Sequence, residues 1–165
     1  MTKLLGATLC FIFDENSNCL MLKREREPHR GQWNAPGGKL LQEEDPEQGC
    51  LREVLEETGL VLSSLRDMGC IDCIDLLDPA NAWRLYLFVA LASWVPVPPS
   101  PEGVFAWLEL GTILAGGREI VHNIPLILPL LLQGIPIRGE FVYRQDYLEK
   151  YKISLVSRSK GLPIC

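Results

Sequence analysis

Glu53, Glu56 and Glu57 fall within five residues of one another, in a segment whose other positions, Cys50, Leu51, Val54 and Leu55, suit an ordinary buried helix. Start and stop signals frame that helix. Asp45 is a good N-cap, Pro46 suits the first helical position, Gln48 stands three after the cap as in a capping box, and Gly59 ends the run. These signals predict a helix over Pro46–Thr58. With Glu53 at 0° and about 100° per residue, Glu57 falls near 40° and Glu56 near −60°, on one face. Cys50, Leu51, Val54, Leu55 and Thr58 take the opposite side, so the spacing predicts one stripe packed on a sheet and a carboxylate face turned to solvent. Such a face opposes itself. The acids repel at spacings of three and four, no Lys at i+4 relieves them, and Glu56 and Glu57 sit where the helix dipole disfavours anions. Arg52 is the only basic residue inside the segment. A cation that reverses these penalties is the chemistry the residues point to, since carboxylate oxygens are hard ligands suited to Mg²⁺. The competing reading is a merely solvated acidic face.

The loop before the helix carries a second set of candidates. Gly37-Gly38 lets the backbone come near a ligand, with Lys39 beside it. GxxxxGK[ST] and GxGxxG are both absent, so this is neither a Walker loop nor a dinucleotide fingerprint. Trp33 could stack on a flat base, and the Asn34 amide could pair with a base edge; a structural Trp and a turn-forming Asn explain the pair equally well. Lys23, Arg24, Arg26, His29 and Arg30 bring positive charge close to the glycines in sequence. Gly49, costly inside a helix, marks a place where something approaches the backbone or a simple tolerance.

These candidates need elements to position them. "LLGATLCFIF", "DENSN" and "CLMLKRE" read as strand, turn and strand, and "EPHRGQWNAPGG" as a loop. "LRDMGCIDCID" and "AWRLYLFVALASW" read as two more strands; the second is apolar on both sides and therefore central. "VPVPPSPEG" must be irregular, because Pro cannot donate to a ladder, and "VFAWLEL" follows as a strand. "NIPLILPLLLQG" predicts a second helix capped by Asn123 and stopped by Gly134, with Pro129 a local misfit. The tail "RGEFVYRQDYLEKYKISLV" offers two short strands. The fold class expected is α/β, one domain over residues 1–165 around one sheet.

Composition narrows the partners. A net charge of −5 excludes a broad basic surface for a nucleic-acid polymer, and an anionic substrate then needs metal ions or a local basic patch. The N-terminal stretch reads as a strand, not a signal peptide, and the run Ile124 to Leu132 is about half the ~20 residues a membrane helix needs. The six cysteines (Cys10, Cys19, Cys50, Cys70, Cys73, Cys165) sit among apolar neighbours as reduced core thiols, which predicts a cytoplasmic location. Cys70-Ile-Asp-Cys73 has CxxC spacing without a second pair, and two strand residues outweigh a metal or redox site. Monomer and homodimer both stay open.

Gly38, five residues, Glu44, seven residues, then Arg52-Glu53-Val54-x-Glu56-Glu57-x-Gly59-Leu60 resembles the Nudix box, G-x5-E-x7-R-E-U-x-E-E-x-G-U with U aliphatic, at every specified position across residues 38–60. The resemblance implies an α/β/α sandwich with a mixed central sheet, in which the box forms loop, helix and loop. It implies Mg²⁺ or Mn²⁺ held by Glu53, Glu56 and Glu57, often with the Gly38 carbonyl. Arg52 would orient a helix glutamate and Glu44 would steady the loop. Family members hydrolyse a nucleoside diphosphate linked to another moiety; water attacks and a carboxylate, Glu53 or Glu56, takes the proton.

Beyond the box, "RGQWNAPGGKL" and "PLLLQGIPIRGEFVY" resemble the branch that hydrolyses oxidised purine nucleoside triphosphates such as 8-oxo-dGTP. That likeness implies a base contact from Asn34 and a further metal contact from Glu102, with a nucleotide as the partner. One departure stands out: where the mammalian enzymes of that branch carry two adjacent Asp, this chain has Asn123-Ile124. Asn123 could still bond a purine edge, but a carboxyl pair is missing. Hydrolysis of ADP-ribose or a nucleotide sugar, and a nucleotide-binding module without turnover, are the alternatives.

Overall fold

The structure is a computed structural model and describes residues 4–157 and 164–165. Along the chain run β1 (Leu5–Phe13), β2 (Asn18–Arg24), β3 (Trp33–Asn34), α1 (Pro46–Thr58), β4 (Arg66–Asp75) and β5 (Trp83–Leu91). Then follow β6 (Gly103–Glu109), α2 (Leu110–Ala115), α3 (Ile124–Leu132), β7 (Ile137–Arg144) and β8 (Tyr147–Leu155). The β1–β2 turn is closed by Asp14, whose Oδ1 accepts from the backbone N–H groups of Asn16 and Asn18, both at 2.8 Å.

The strands form one mixed sheet in the order β3-β2-β1-β5-β4-β7-β8, with β6 also paired to β2. β1 runs parallel to β5 and β4 parallel to β7, while the other pairs are antiparallel. β5 is therefore central, as its two apolar faces predict. Helices cover both faces. Cys10, Ile12, Leu20 and Phe88 pack with Cys50 and Val54 of α1, and Phe11, Met21, Ile71, Leu87 and Phe141 pack with Ile113 of α2 and Ile127 of α3. This is the single-domain α/β/α sandwich expected. No helix among the described residues is long and apolar enough to cross a membrane.

α1 keeps the bounds its caps predict. Asp45 Oδ1 accepts from the N–H groups of Glu47 (3.0 Å) and Gln48 (3.2 Å), and Gly59 closes the helix at φ 76°. Asp45→Ala should therefore cost about 1 kcal/mol, read as a lower urea midpoint with an unchanged slope.

Several expectations need correction. α1 is rotated from its expected seat. Gly49, Cys50, Val54 and Thr58 are buried, Leu55 is 48% exposed, and Glu53 and Glu57 lie half-buried at the edge of the packed side. The packed arc is thus centred nearer the glutamates than the apolar residues alone indicate. β3 lies inside a stretch that reads as loop, and the six-residue α2 continues directly from β6. Both are too short for periodicity to show. Asn123 stands at the N-terminus of α3 with αR dihedrals and makes no side-chain cap bond; its carbonyl alone accepts from Leu126 and Ile127 (both 3.1 Å). Pro129 stays inside α3, at the cost of one helical donor. Cys70 and Cys165 form a disulfide, so the six thiols are not all reduced, and the thiol state gives the cytoplasmic expectation no support. Cys70 and Cys73 are residues of β4, and Cys10, Cys19 and Cys50 are free and buried.

Candidate active site

The loop Gly37–Lys39 is bonded to β1 on one side and packed on α1 on the other. Thr8 N–H donates to the Gly38 carbonyl (2.8 Å) and Leu40 N–H to the Gly6 carbonyl (2.9 Å). Glu57 Oε2 accepts from Gly37 N–H at 3.3 Å. Gly38 has no room for a side chain, because a Cβ there would stand 2.4 Å from Cδ and Oε2 of Glu53. The close approach expected at Gly49 is made by the chain itself, with Leu40 and Glu44 filling the place of a Cβ.

Arg52 organises the acids. Its Nε and Nη2 donate to the two oxygens of Glu44 (2.7 and 2.8 Å), and Nη2 also reaches the Lys39 carbonyl (3.2 Å). Its Nη1 donates to Glu53 Oε1 (2.7 Å) and Glu56 Oε2 (3.2 Å). Glu44 in turn accepts from Leu41 N–H at 2.9 Å. The Arg52 fork, with help from Leu41, holds the Glu44 carboxyl down at about 2. Glu44 therefore ties loop to helix and Arg52 bonds Glu53, as the resemblance implies.

The carboxylates do not converge as placed. Among the described residues no three carboxylate, imidazole or thiolate groups meet at one point, since Arg52 Nη1 draws Glu53 and Glu56 and the loop N–H holds Glu57. Burial raises the Glu57 carboxyl to about 7; Glu53 and Glu102 repel it in the same direction, while the Gly37 N–H and Arg24 oppose. An anion held half-buried among other anions is the environment a dication stabilises, and every donor here is a hard oxygen. The chemistry of these donors therefore suits a divalent ion; Glu53, Glu56, Glu57, Glu102 and the Gly38 carbonyl are the groups that would hold one. Glu102, just before β6, meets Arg24 Nη2 at 3.3 Å and Arg26 Nη1 at 3.8 Å.

Beside this cluster opens a cavity of about 940 Å³, lined in part by Arg24, Asn34, Gly37, Gly38, Lys39 and Asn123. Asn34 Oδ1 accepts from Ala35 N–H (2.9 Å), which leaves its NH₂ for a ligand. Trp33 does not line the cavity. It packs half-buried against the α2–α3 core with Lys23 Nζ 5.7 Å from its ring centre, an arrangement that favours a structural Trp. Lys39 Nζ stands 5.4 Å from the Trp83 ring centre. Trp83, His122, Tyr143 and Cys73 also line the cavity, and no sequence motif places them there. The parallel pairing of β4 with β7 brings the last two together, and local sequence does not show that pairing.

Residues 3–123 match the family model described as NUDIX domain. Among curated relatives, the Nudix hydrolase YvcI of Bacillus subtilis (strain 168) is 28% identical over 157 residues, covering 89% of this chain and 92% of its own. The oxidized purine nucleoside triphosphate hydrolase of Mus musculus is 29% identical over 124 residues, 74% of this chain and 78% of that protein. Among solved structures, the mutator MutT protein from Bacillus halodurans superposes with a TM-score of 0.77 at 26% identity, covering 91% of this chain and 97% of that one.

Proposed function

The chain belongs to the NUDIX family, and from that membership we propose that it is a metal-dependent pyrophosphohydrolase of nucleoside triphosphates. The products are a nucleoside monophosphate and pyrophosphate, and a purine triphosphate, oxidised as in 8-oxo-dGTP, is the substrate we place first. The observation that carries this reading is the intact carboxylate set on α1, joined by Arg52 to Glu44 and standing against the glycine loop at the cavity's edge. A binding module without turnover has no use for all of these groups.

The cation, when bound, offsets phosphate charge and lowers the pKa of the attacking water. The chain supplies the rest. Lys39 and Arg24 at the cavity wall hold the phosphates. Glu53 or Glu56 accepts the proton from water, and Arg52 keeps Glu53 in place through its Nη1. Asn34 contacts the base through its NH₂.

A panel of 8-oxo-dGTP, dGTP, ADP-ribose and a nucleotide sugar, incubated with Mg²⁺, tests the reading by product release. Pyrophosphate from the triphosphates is the result expected. Turnover of ADP-ribose or the nucleotide sugar alone would replace the substrate class, and equal kcat/KM for 8-oxo-dGTP and dGTP would remove the oxidised-base preference. Asn34→Ala should raise KM for purine substrates about 10-fold, the value of one lost hydrogen bond, with a much smaller change in kcat. An unchanged KM would leave Asn34 as a turn residue only.

A further inference from the structure

The run Val95-Pro96-Val97-Pro98-Pro99-Ser100-Pro101, between β5 and β6, has no part in the hydrolysis, and its backbone shape is set by composition. Each of the four Pro rings fixes φ near −65°. Val95, Val97, Pro98 and Ser100 each precede a Pro and are pushed to extended ψ. Every residue of the run is thus directed to polyproline II, a helix of three residues per turn with no internal hydrogen bonds. Residues 92–99 accordingly form neither strand nor helix.

Burial along the run repeats every third residue. Val97 and Ser100 are half-buried, while Val95, Pro96, Pro98, Pro99 and Pro101 are exposed. A three-residue turn has three edges, and here the edge of 97 and 100 faces the domain. Val97 packs with the cluster that holds Cys50 and Val54 of α1. Both ends are fastened. Trp107 Nε1 donates to the Val95 carbonyl (2.8 Å), and Ser100 exchanges two backbone bonds with Gly103 (2.9 and 3.1 Å).

The other two edges stand in solvent as an apolar ridge, in which Pro96 and Pro99, and again Pro98 and Pro101, have the spacing PxxP. Trp94, 51% exposed, extends the ridge at its start. Aromatic-lined grooves of SH3 and WW domains take up such ridges, because the prolines arrive already ordered. A groove that holds two edges leaves the third turned away, and in this chain the third edge is the one packed on the domain. The ridge can therefore dock without leaving its seat, and the anchors at Val95 and Ser100 lower the ordering cost of binding.

We propose that Val95–Pro101 is a docking ridge for a partner protein with an aromatic-lined polyproline groove of the SH3 or WW class. This surface is independent of the hydrolysis reading.

Isolated SH3 and WW domains of differing flanking specificity, titrated one by one into the full chain and followed by its amide NMR shifts, test this. Saturable binding by at least one domain is expected, with shifts centred on the amides of Val95, Val97 and Ser100 and on the Trp94 indole. Pro96→Ala and Pro99→Ala should each weaken that binding about 10-fold or more, the scale of a lost anchor residue, with the thermal midpoint unchanged. Val97→Ala, on the packed edge, should do the reverse: a lower thermal midpoint, and an affinity within about threefold of the parent. Absence of binding by every domain, shifts that map elsewhere on the chain, or an affinity indifferent to Pro96→Ala and Pro99→Ala would overturn the proposal.

Discussion

Glu56→Gln should lower kcat by about 10²–10⁴-fold, the range for losing a group that handles a proton or a bound cation, while leaving the fold as it is. The two halves of this expectation have separate grounds. Glu56 is 59% exposed and among the described residues bonds through the 3.2 Å contact to Arg52 Nη1, so the neutral amide removes one solvent-screened ion pair worth at most about 1 kcal/mol. The chemistry, by contrast, loses a full negative charge beside Glu53 and Glu57. Circular dichroism and a thermal melt check the first half, and pyrophosphate release in Mg²⁺ checks the second. A variant that hydrolyses at the wild-type rate would take Glu56 out of the site, and one that fails to fold would make its role structural.

The adjacent glycines should fail in different ways. A Cβ on Gly37, where φ is 153°, would lie 1.9 Å from the Thr8 carbonyl oxygen, a backbone atom of the buried central strand β1. Neither partner can yield without breaking the loop's seat on the sheet, so Gly37→Ala should cost about 3 kcal/mol or more and lower the urea midpoint accordingly. A Cβ on Gly38 would instead meet the end of the Glu53 side chain at 2.4 Å, and a flexible carboxylate can swing away. Gly38→Ala should therefore fold nearly as well as the parent and lose activity about 10²-fold, the scale for a misplaced reacting group. Equal destabilisation by both changes would mean that Glu53 is held rigidly by its neighbours, and full activity in Gly38→Ala would detach Glu53 from catalysis.

Much of this molecule could be read from residue order because its signals are local. Asp45, Pro46 and Gly59 set the ends of α1 through bonds within a few residues, and those bonds form where expected. The apolar strands β1, β4 and β5 announce themselves by composition. The salt bridge from Arg52 to a helix glutamate follows from the resemblance and is present at Glu53; the Arg52 fork on Glu44 was not expected. What stayed hidden depends on residues far apart in the chain. The rotation of α1, which half-buries Glu53 and Glu57 and leaves Leu55 exposed, is decided by the sheet and the glycine loop rather than by the helix's own pattern. The Cys70–Cys165 bridge spans 95 residues and lacks any spacing rule. Tyr143 and Cys73 reach the cavity only because β4 and β7 pair in parallel. Asn123 was legible as a helix start, but not as a buried amide whose Oδ1 goes without a donor.

The central claim is that the anions of α1 stand together to grip a dication that holds a polyphosphate. Its most direct test is the rate of pyrophosphate release from a purine triphosphate after exhaustive chelation, followed by titration with Mg²⁺. The account requires no release in chelator and recovery that saturates with added metal, with Glu57→Gln shifting the half-saturating concentration upward. The same rate with chelator as with magnesium would contradict it.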